Sequence, residues 1–144
     1  MRKKYYTGKH KCHTIKAQII ADADTKMIIS IAVAKGATHD FSLFQQSKNH
    51  IHPEIILIAD KGYVGIDKLH KRSITPFKAK KKRPLSDREK IFNSYLSRIR
   101  IPIEHINRRV KRFKIFQSRY HNKQKKFLLR FSLICGFYNF ELKC

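Results

Sequence analysis

Tryptophan is absent from this 144-residue chain, and acids are scarce: ten Asp and Glu stand against 33 Lys and Arg, a formal net charge of +23. A folded domain this basic repels itself unless something neutralises it. The usual partner is a polyphosphate, whose condensed counterions are released on binding. An anionic membrane surface competes for that role, and further absences weigh against it. No apolar run is long enough to cross a bilayer, and no lipidation signal is visible. The opening "MRKKYYTGKHKCH" lacks the apolar core of a secretory signal. The expectation is a cytoplasmic or nucleoid-associated protein with no membrane partner.

Cysteine is sparse as well. Cys12, Cys135 and Cys144 are odd in number and widely spaced, which argues against a disulfide framework and fits a reducing compartment. His10, Cys12 and His13 in "HKCH" match no common zinc spacing, and no second ligand pair follows. They read as a strand with polar residues outward.

What the chain does have is core material. Hydrophobic residues make up 42%, with ten Phe and six Tyr, and they recur at strand and helix periods, which excludes a disordered basic tail. One domain spanning 1–144 is expected. "HTIKAQIIAD" and "KMIISIAVA", joined by the turn "DADTK", predict a β-hairpin over about 13–35, ended by Gly36. Thr38 or Asp40 offers an N-cap for a short helix carrying Phe41, Leu43 and Phe44. The run 55–59 is apolar at every position, as in a strand buried on both faces of an α/β sheet, and it stops at Asp60. Gly62 and Gly65 make a turn, "IDKLHKR" reads as a short helix and "ITPFKA" as a short strand.

A basic loop over 78–85 leads to Ser86 or Asp87 as the cap of a long helix over about 86–116. Phe92, Leu96, Ile99, Ile103, Ile106, Val110 and Phe113 step by 4, 3, 4, 3, 4, 3 along one face of it. Pro102 should start a new helix or kink this one. A wide apolar face marks a closing helix over about 122–142. The order of elements predicts a mixed α/β fold.

Two acids stand out. Asp60 ends the apolar strand, where ligands gather in open α/β sheets. Glu104 lies in "RIRIPIEHINRRVKRFK", dense in bases, and Arg100, Glu104, Arg108 and Lys111 are spaced to share one helix face. Each has a plain structural reading: Asp60 as a turn residue, Glu104 as one half of an exposed ion pair with an i±4 Arg. Together they suit a protein that cuts phosphodiesters, because carboxylates inside a positive groove can hold Mg²⁺ against phosphate.

"YYTGKHKCHTIKAQIIAD", "GATHDFSLF", "IADKGYVG" and "RIPIEHINRRVKRFK" occur in an order and register that resembles the catalytic domain of bacterial insertion-sequence transposases of the DDE class. The resemblance covers roughly 5–142. It implies a ribonuclease-H-like mixed sheet with flanking helices and a long helix carrying Glu104. It also implies Asp60 and Glu104 as catalytic metal ligands for Mg²⁺, with Mn²⁺ as a substitute. Arg100 and Lys111 match the basic residues flanking the catalytic Glu, and Arg108, Lys61 and Lys114 join them as expected contacts to double-stranded DNA at the element ends and target. The family signature often has a Tyr three residues before the Arg; here Ser97 stands there, with Tyr95 nearby. The family's first catalytic Asp lies on a strand before "YYTGK", and no residue of this chain matches it. Asp22 and Asp24 fall in the hairpin turn, and Asp40 belongs to "THDF", which reads as a helix cap.

The resemblance therefore implies transposition by Mg²⁺-dependent strand cleavage and strand transfer, with these residues inactive or nearly so by themselves. The partner could be a second copy or the product of an upstream reading frame joined by frameshifting. The alternative is a non-catalytic basic DNA- or RNA-binding remnant. Tyr5, Tyr6 and Tyr120 lie among bases and could stack on nucleotides, although such residues more often pack. His105 follows Glu104 and points about 100° away on a helix, so it reads as structural or phosphate-facing.

Overall fold

The computed structural model describes residues 6–7, 12–80, 83–117 and 124–144. The chain is a mixed α/β protein that divides into two compact units. One joins Met1–His39 to Pro102–Cys144, and the other is Asp40–Ile101.

The first unit is built on the hairpin. A short antiparallel pair, β1 (Tyr6–Thr7) and β2 (Cys12–His13), precedes the long strands β3 (Ile15–Ala21) and β4 (Ile28–Lys35). β3 and β4 pair antiparallel, with Ile15 opposite Lys35 and Ile19 opposite Ile31. The turn closes on Asp22, whose Oδ1 accepts from the backbone N–H of Asp24 and of Thr25 and from the Thr25 hydroxyl. Those bonds hold the Asp22 carboxyl below its usual range, the Thr25 backbone bond contributing most. Lys26 then takes a positive φ of 62°, and the register shifts between Ile20 and Ala21.

Alternation sends Ile15, Ile19, Ala21, Ile31 and Val33 to one face, where they pack on a helical cluster. The helices are α3 (Ile101–Lys111), α4 (Lys114–Gln117) and α5 (Gln124–Glu141). They are preceded in the chain by α1 (Asp40–Ser47), β5 (Leu57–Ile58), β6 (Ser73–Ile74) and α2 (Asp87–Ile99) of the second unit. Ile106 and Val110 of α3 meet Phe127, Phe131, Ile134, Cys135 and Tyr138 of α5 in the core, with Ile28 of β4. Phe116 of α4 sets its ring edge-on to Phe127 and Phe131, each at 5.4 Å. Burial in this cluster pushes the Cys135 thiol up to about 11, so it acts as a small hydrophobe.

The strand β4 is also tied to α5 by a side-chain amide. Asn139 accepts from the Ile28 N–H at 2.8 Å and donates to the Ile28 carbonyl at 2.8 Å. The amide thus occupies the place of a neighbouring strand on Ile28. The second unit repeats the device: Asn93 of α2 accepts from the Phe77 N–H at 2.8 Å and donates to its carbonyl at 3.0 Å. Phe77 and Phe92 stack edge-on beside it at 5.2 Å.

Within the second unit, α2 starts at a full capping box. Ser86 accepts from the Glu89 N–H, and the Glu89 side chain accepts from the Ser86 N–H at 2.8 Å. The sequence reading predicts one helix over 86–116; the structure has three. α2 ends at Ile99, Arg100 caps it, and α3 begins at Ile101. Pro102 explains the break, since it lacks an N–H for the preceding turn and is accommodated in a first helical turn.

The predicted strand over 55–59, buried on both faces, is also shorter. The Ile55 N–H bonds to the His52 carbonyl in a turn, so pairing begins only at Leu57. β5 then pairs parallel with β6, Leu57 to Ser73 and Ile58 to Ile74. Ile55 and Ile56 remain 53% and 61% exposed. The segment "IDKLHKR" forms only a 3-10 turn, Ile66–Lys68, with Ile66 buried beneath it. Lys81, Lys82 and all of "SRYHN", including Tyr120, lie outside the described residues, as do Tyr5 and His10.

Candidate active site

Asp60 follows β5 by two residues and caps a 3-10 turn, Lys61–Tyr63. Its Oδ1 accepts from the Lys61 N–H at 2.7 Å and pairs with Arg100 Nη1 at 3.1 Å. Both contacts fall on the same oxygen. The Asp60 side chain is 55% exposed, while the Arg100 side chain is only 18% exposed. Arg100 is the anchored partner, and the carboxylate it holds faces outward.

This placement departs from the helix-face reading of Arg100. Helical spacing sets Arg100 one turn before Glu104, but the break at Pro102 leaves Arg100 as the cap of α2. From that position its guanidinium reaches the Asp60 turn.

The turn itself rests on α1. Gly62 lies so close to Asp40 that a Cβ at position 62 would collide with the Asp40 carboxylate. Gly65 adopts φ 96° and faces the Phe41 ring. Phe44 meets Tyr63 edge-on at 6.4 Å. Burial pushes the Tyr63 phenol up to about 12, with the Asp40 and Asp60 carboxylates adding to the effect. Asp40 and Asp60 therefore both act electrostatically on Tyr63. Sequence reasoning assigned Asp40 only a capping role; the sole signal linking it to Asp60 is that "THDF" and "ADKGY" both belong to the family pattern, since a gap of this length has no periodicity.

Glu104, Arg108, Lys111 and Lys114 belong to the first unit, as does His105. Glu104 sits in the first turn of α3, whose amino end favours negative charge. It is exposed and forms no ion pair among the described residues, so the i±4 salt-bridge reading does not hold. Arg108 and Lys111 are exposed in the last turns of α3, and Lys114 is exposed at the start of α4. The Ile106 and Val110 side chains on the opposite face are 2% exposed, which fixes the rotation of α3 and turns Glu104, Arg108 and Lys111 outward. Lys61 is exposed beside Asp60. Among the described residues, no group of three His, Cys, Asp or Glu side chains converges as a metal cluster. No helix among them is long and apolar enough to cross a membrane.

Comparison with known proteins places this geometry in context. The chain is 44% identical over 141 residues to a probable transposase for insertion sequence element IS702 from Microchaete diplosiphon, an alignment covering 98% of this chain and 51% of the relative. It thus spans about half the length of that relative. No solved structure matches. The family model for the DDE superfamily endonuclease matches residues 1–138. With nearly the whole chain covered by that match, the protein belongs to the DDE superfamily of endonucleases.

Proposed function

We propose that these residues form part of the catalytic core of a DNA transposase with a ribonuclease-H-like fold. In this reading water attacks a phosphodiester at the end of an insertion element, and the freed 3′-hydroxyl then attacks target DNA. The observation that carries the proposal is the state of Glu104. In a chain with 33 Lys and Arg it stays exposed and without an ion pair among the described residues. A carboxylate in such surroundings is available to a cation.

The donor chemistry fits Mg²⁺, or Mn²⁺ in its place. Asp60 and Glu104 offer hard carboxylate oxygens, and the Lys61 and Arg100 contacts of Asp60 both fall on Oδ1 of a side chain that is half exposed. Asp60 and Glu104 would hold the ions. When bound, such ions polarise the scissile phosphodiester and stabilise the leaving oxygen. Arg100 and the Lys61 N–H orient the Asp60 carboxylate. Lys61, Arg108, Lys111 and Lys114 would hold DNA phosphates, positioning the duplex without reading its sequence. The family's third carboxylate has no match in this chain, so these 144 residues are expected to be inactive or nearly so by themselves. A segment that supplies this carboxylate would complete the enzyme, and the proposed compartment is the cytoplasm.

The test uses a complete transposase carrying this sequence and a duplex bearing the element end. Glu104→Gln and Asp60→Asn should each abolish Mg²⁺-dependent cleavage while retaining duplex binding. Cleavage that survives Glu104→Gln removes Glu104 from the mechanism. Duplex binding without cleavage by the complete unsubstituted protein would favour the non-catalytic DNA-binding reading.

A further inference from the structure

Within the second unit, β5 and β6 form a parallel ladder of two residue pairs. The Leu57 N–H donates to the Arg72 carbonyl at 2.8 Å, and the Ala59 N–H to the Ile74 carbonyl at 3.0 Å. A ladder this short specifies its register weakly. Register matters here because Asp60 directly follows the Ala59 bond. A slip of two residues would keep every side chain on its own face and carry Asp60 about 7 Å along the strand.

Two side chains act at the amino end of this ladder, from the segment that enters β6. His70 Nε2 lies 3.3 Å from the His52 carbonyl. A carbonyl only accepts, so Nε2 carries the proton and donates. Arg72 Nη1 donates to the Glu54 carbonyl at 3.0 Å. His52 and Glu54 lie in the turn that leads into β5, so both bonds tie the entry of β5 to the entry of β6. The backbone of His70 is itself fixed: its N–H donates at 2.9 Å to the carbonyl of Ile66, which is 2% exposed.

His70 is not the most stabilising residue for this place. It is 7% exposed, and its Nδ1 is buried with no hydrogen-bond partner among the described residues. An apolar side chain of similar size would avoid that desolvation penalty. Nor does the His52 carbonyl depend on His70, because it also accepts from the Ile55 N–H at 3.0 Å. What the histidine adds is a fixed separation between the two strand entries.

We propose that His70, with Arg72 beside it, is a positioning residue for the cleavage reaction: it pins the register of β5 on β6 and so sets where Asp60 presents its carboxylate. The inference rests on the reading of Asp60 as a metal ligand. His70 touches neither metal nor DNA in this role; it acts through the strand.

The experiment compares His70→Leu, which removes the bond and the unpartnered nitrogen together, with His70→Gln, whose amide can replace the Nε2 donor. In the 144-residue chain, His70→Leu should leave the thermal midpoint within about 2 °C of the unsubstituted value. Amide exchange at Leu57 and Ala59 should nevertheless accelerate roughly fivefold, the effect of one hydrogen bond. In a complete transposase carrying this sequence, Mg²⁺-dependent cleavage of a duplex bearing the element end should fall roughly 10–100-fold, the effect of a reacting group displaced by about 1 Å, with duplex affinity unchanged. His70→Gln should restore both exchange and cleavage. Unchanged exchange in His70→Leu overturns the proposal, as does cleavage that survives it or a glutamine that rescues neither. Should His70→Leu fail to fold, Arg72→Met takes its place with the same readouts, since Arg72 is exposed. If the complete unsubstituted protein does not cleave, or Asp60→Asn leaves cleavage intact, the metal-ligand reading of Asp60 fails by itself. The exchange rates then decide alone whether His70 pins the register.

Discussion

Replacing Asn139 by Ala should destabilise the first unit out of proportion to the atoms removed. The Asn139 amide makes two hydrogen bonds to Ile28, one to its N–H and one to its carbonyl, both at 2.8 Å. Ile28 is only 8% exposed, so water cannot readily take over either bond. Each bond contributes ~1 kcal/mol net, and each partner left buried without one adds a desolvation cost. The expected loss is about 2–4 kcal/mol, against a total of ~5–15 kcal/mol for a native domain. Thermal denaturation should show a drop on the order of 10 °C. Hydrogen exchange at the Ile28 amide should accelerate with it. Ser132→Ala is the control: its hydroxyl bonds to the Leu129 carbonyl on the exposed side of α5, and its loss should shift stability by no more than ~0.5 kcal/mol. If Asn139→Ala costs no more than Ser132→Ala, the amide is not holding β4 to α5 and the reasoning fails.

Two further outcomes follow from the Asp60 turn. Gly62→Ala would drive a Cβ into the Asp40 carboxylate and should cost ~1–3 kcal/mol. In an Asp40→Ala background the same change should cost clearly less, and a double-mutant cycle from urea denaturation with zero coupling would refute the contact. The Tyr63 phenol is pushed up to about 12, first by burial and then by Asp40 and Asp60, above its ordinary value of 10.0. The folded state therefore holds this proton more tightly than the unfolded one. The stability Tyr63 contributes is fully present below pH 10 and is lost as pH rises through 12. Circular dichroism across that window should show a shallower loss for Tyr63→Phe than for the unsubstituted chain.

Much of the local structure is legible in the residues. The β-branched alternation of "HTIKAQIIAD" and "KMIISIAVA" and the Asp22 turn specify a hairpin, because a period of two and a side-chain-closed turn act within a few residues. Ser86 and Glu89 announce the start of α2 through a reciprocal bond three residues apart. Pro102 announces the break before α3. The strand over 55–59 is less legible: an apolar run says which residues avoid water but not whether a partner covers them, and the turn at His52 takes its first half.

The site divides the same way. Sequence alone determined that the chain is strongly basic, that Asp60 ends a strand, that Glu104 lies on a helix among bases, and that these motifs resemble a DDE transposase. Those are properties of composition, period and local spacing, which the chain carries before it folds. Only the tertiary structure decided that Arg100 serves Asp60, that Asp40 abuts Gly62, and that Asn139 clasps Ile28. Each joins residues far apart in the chain. A side chain's choice among charged or polar partners depends on which elements pack together, and that is settled by the burial of Leu96 and Ile66 in one unit and of Ile106, Val110 and Phe131 in the other.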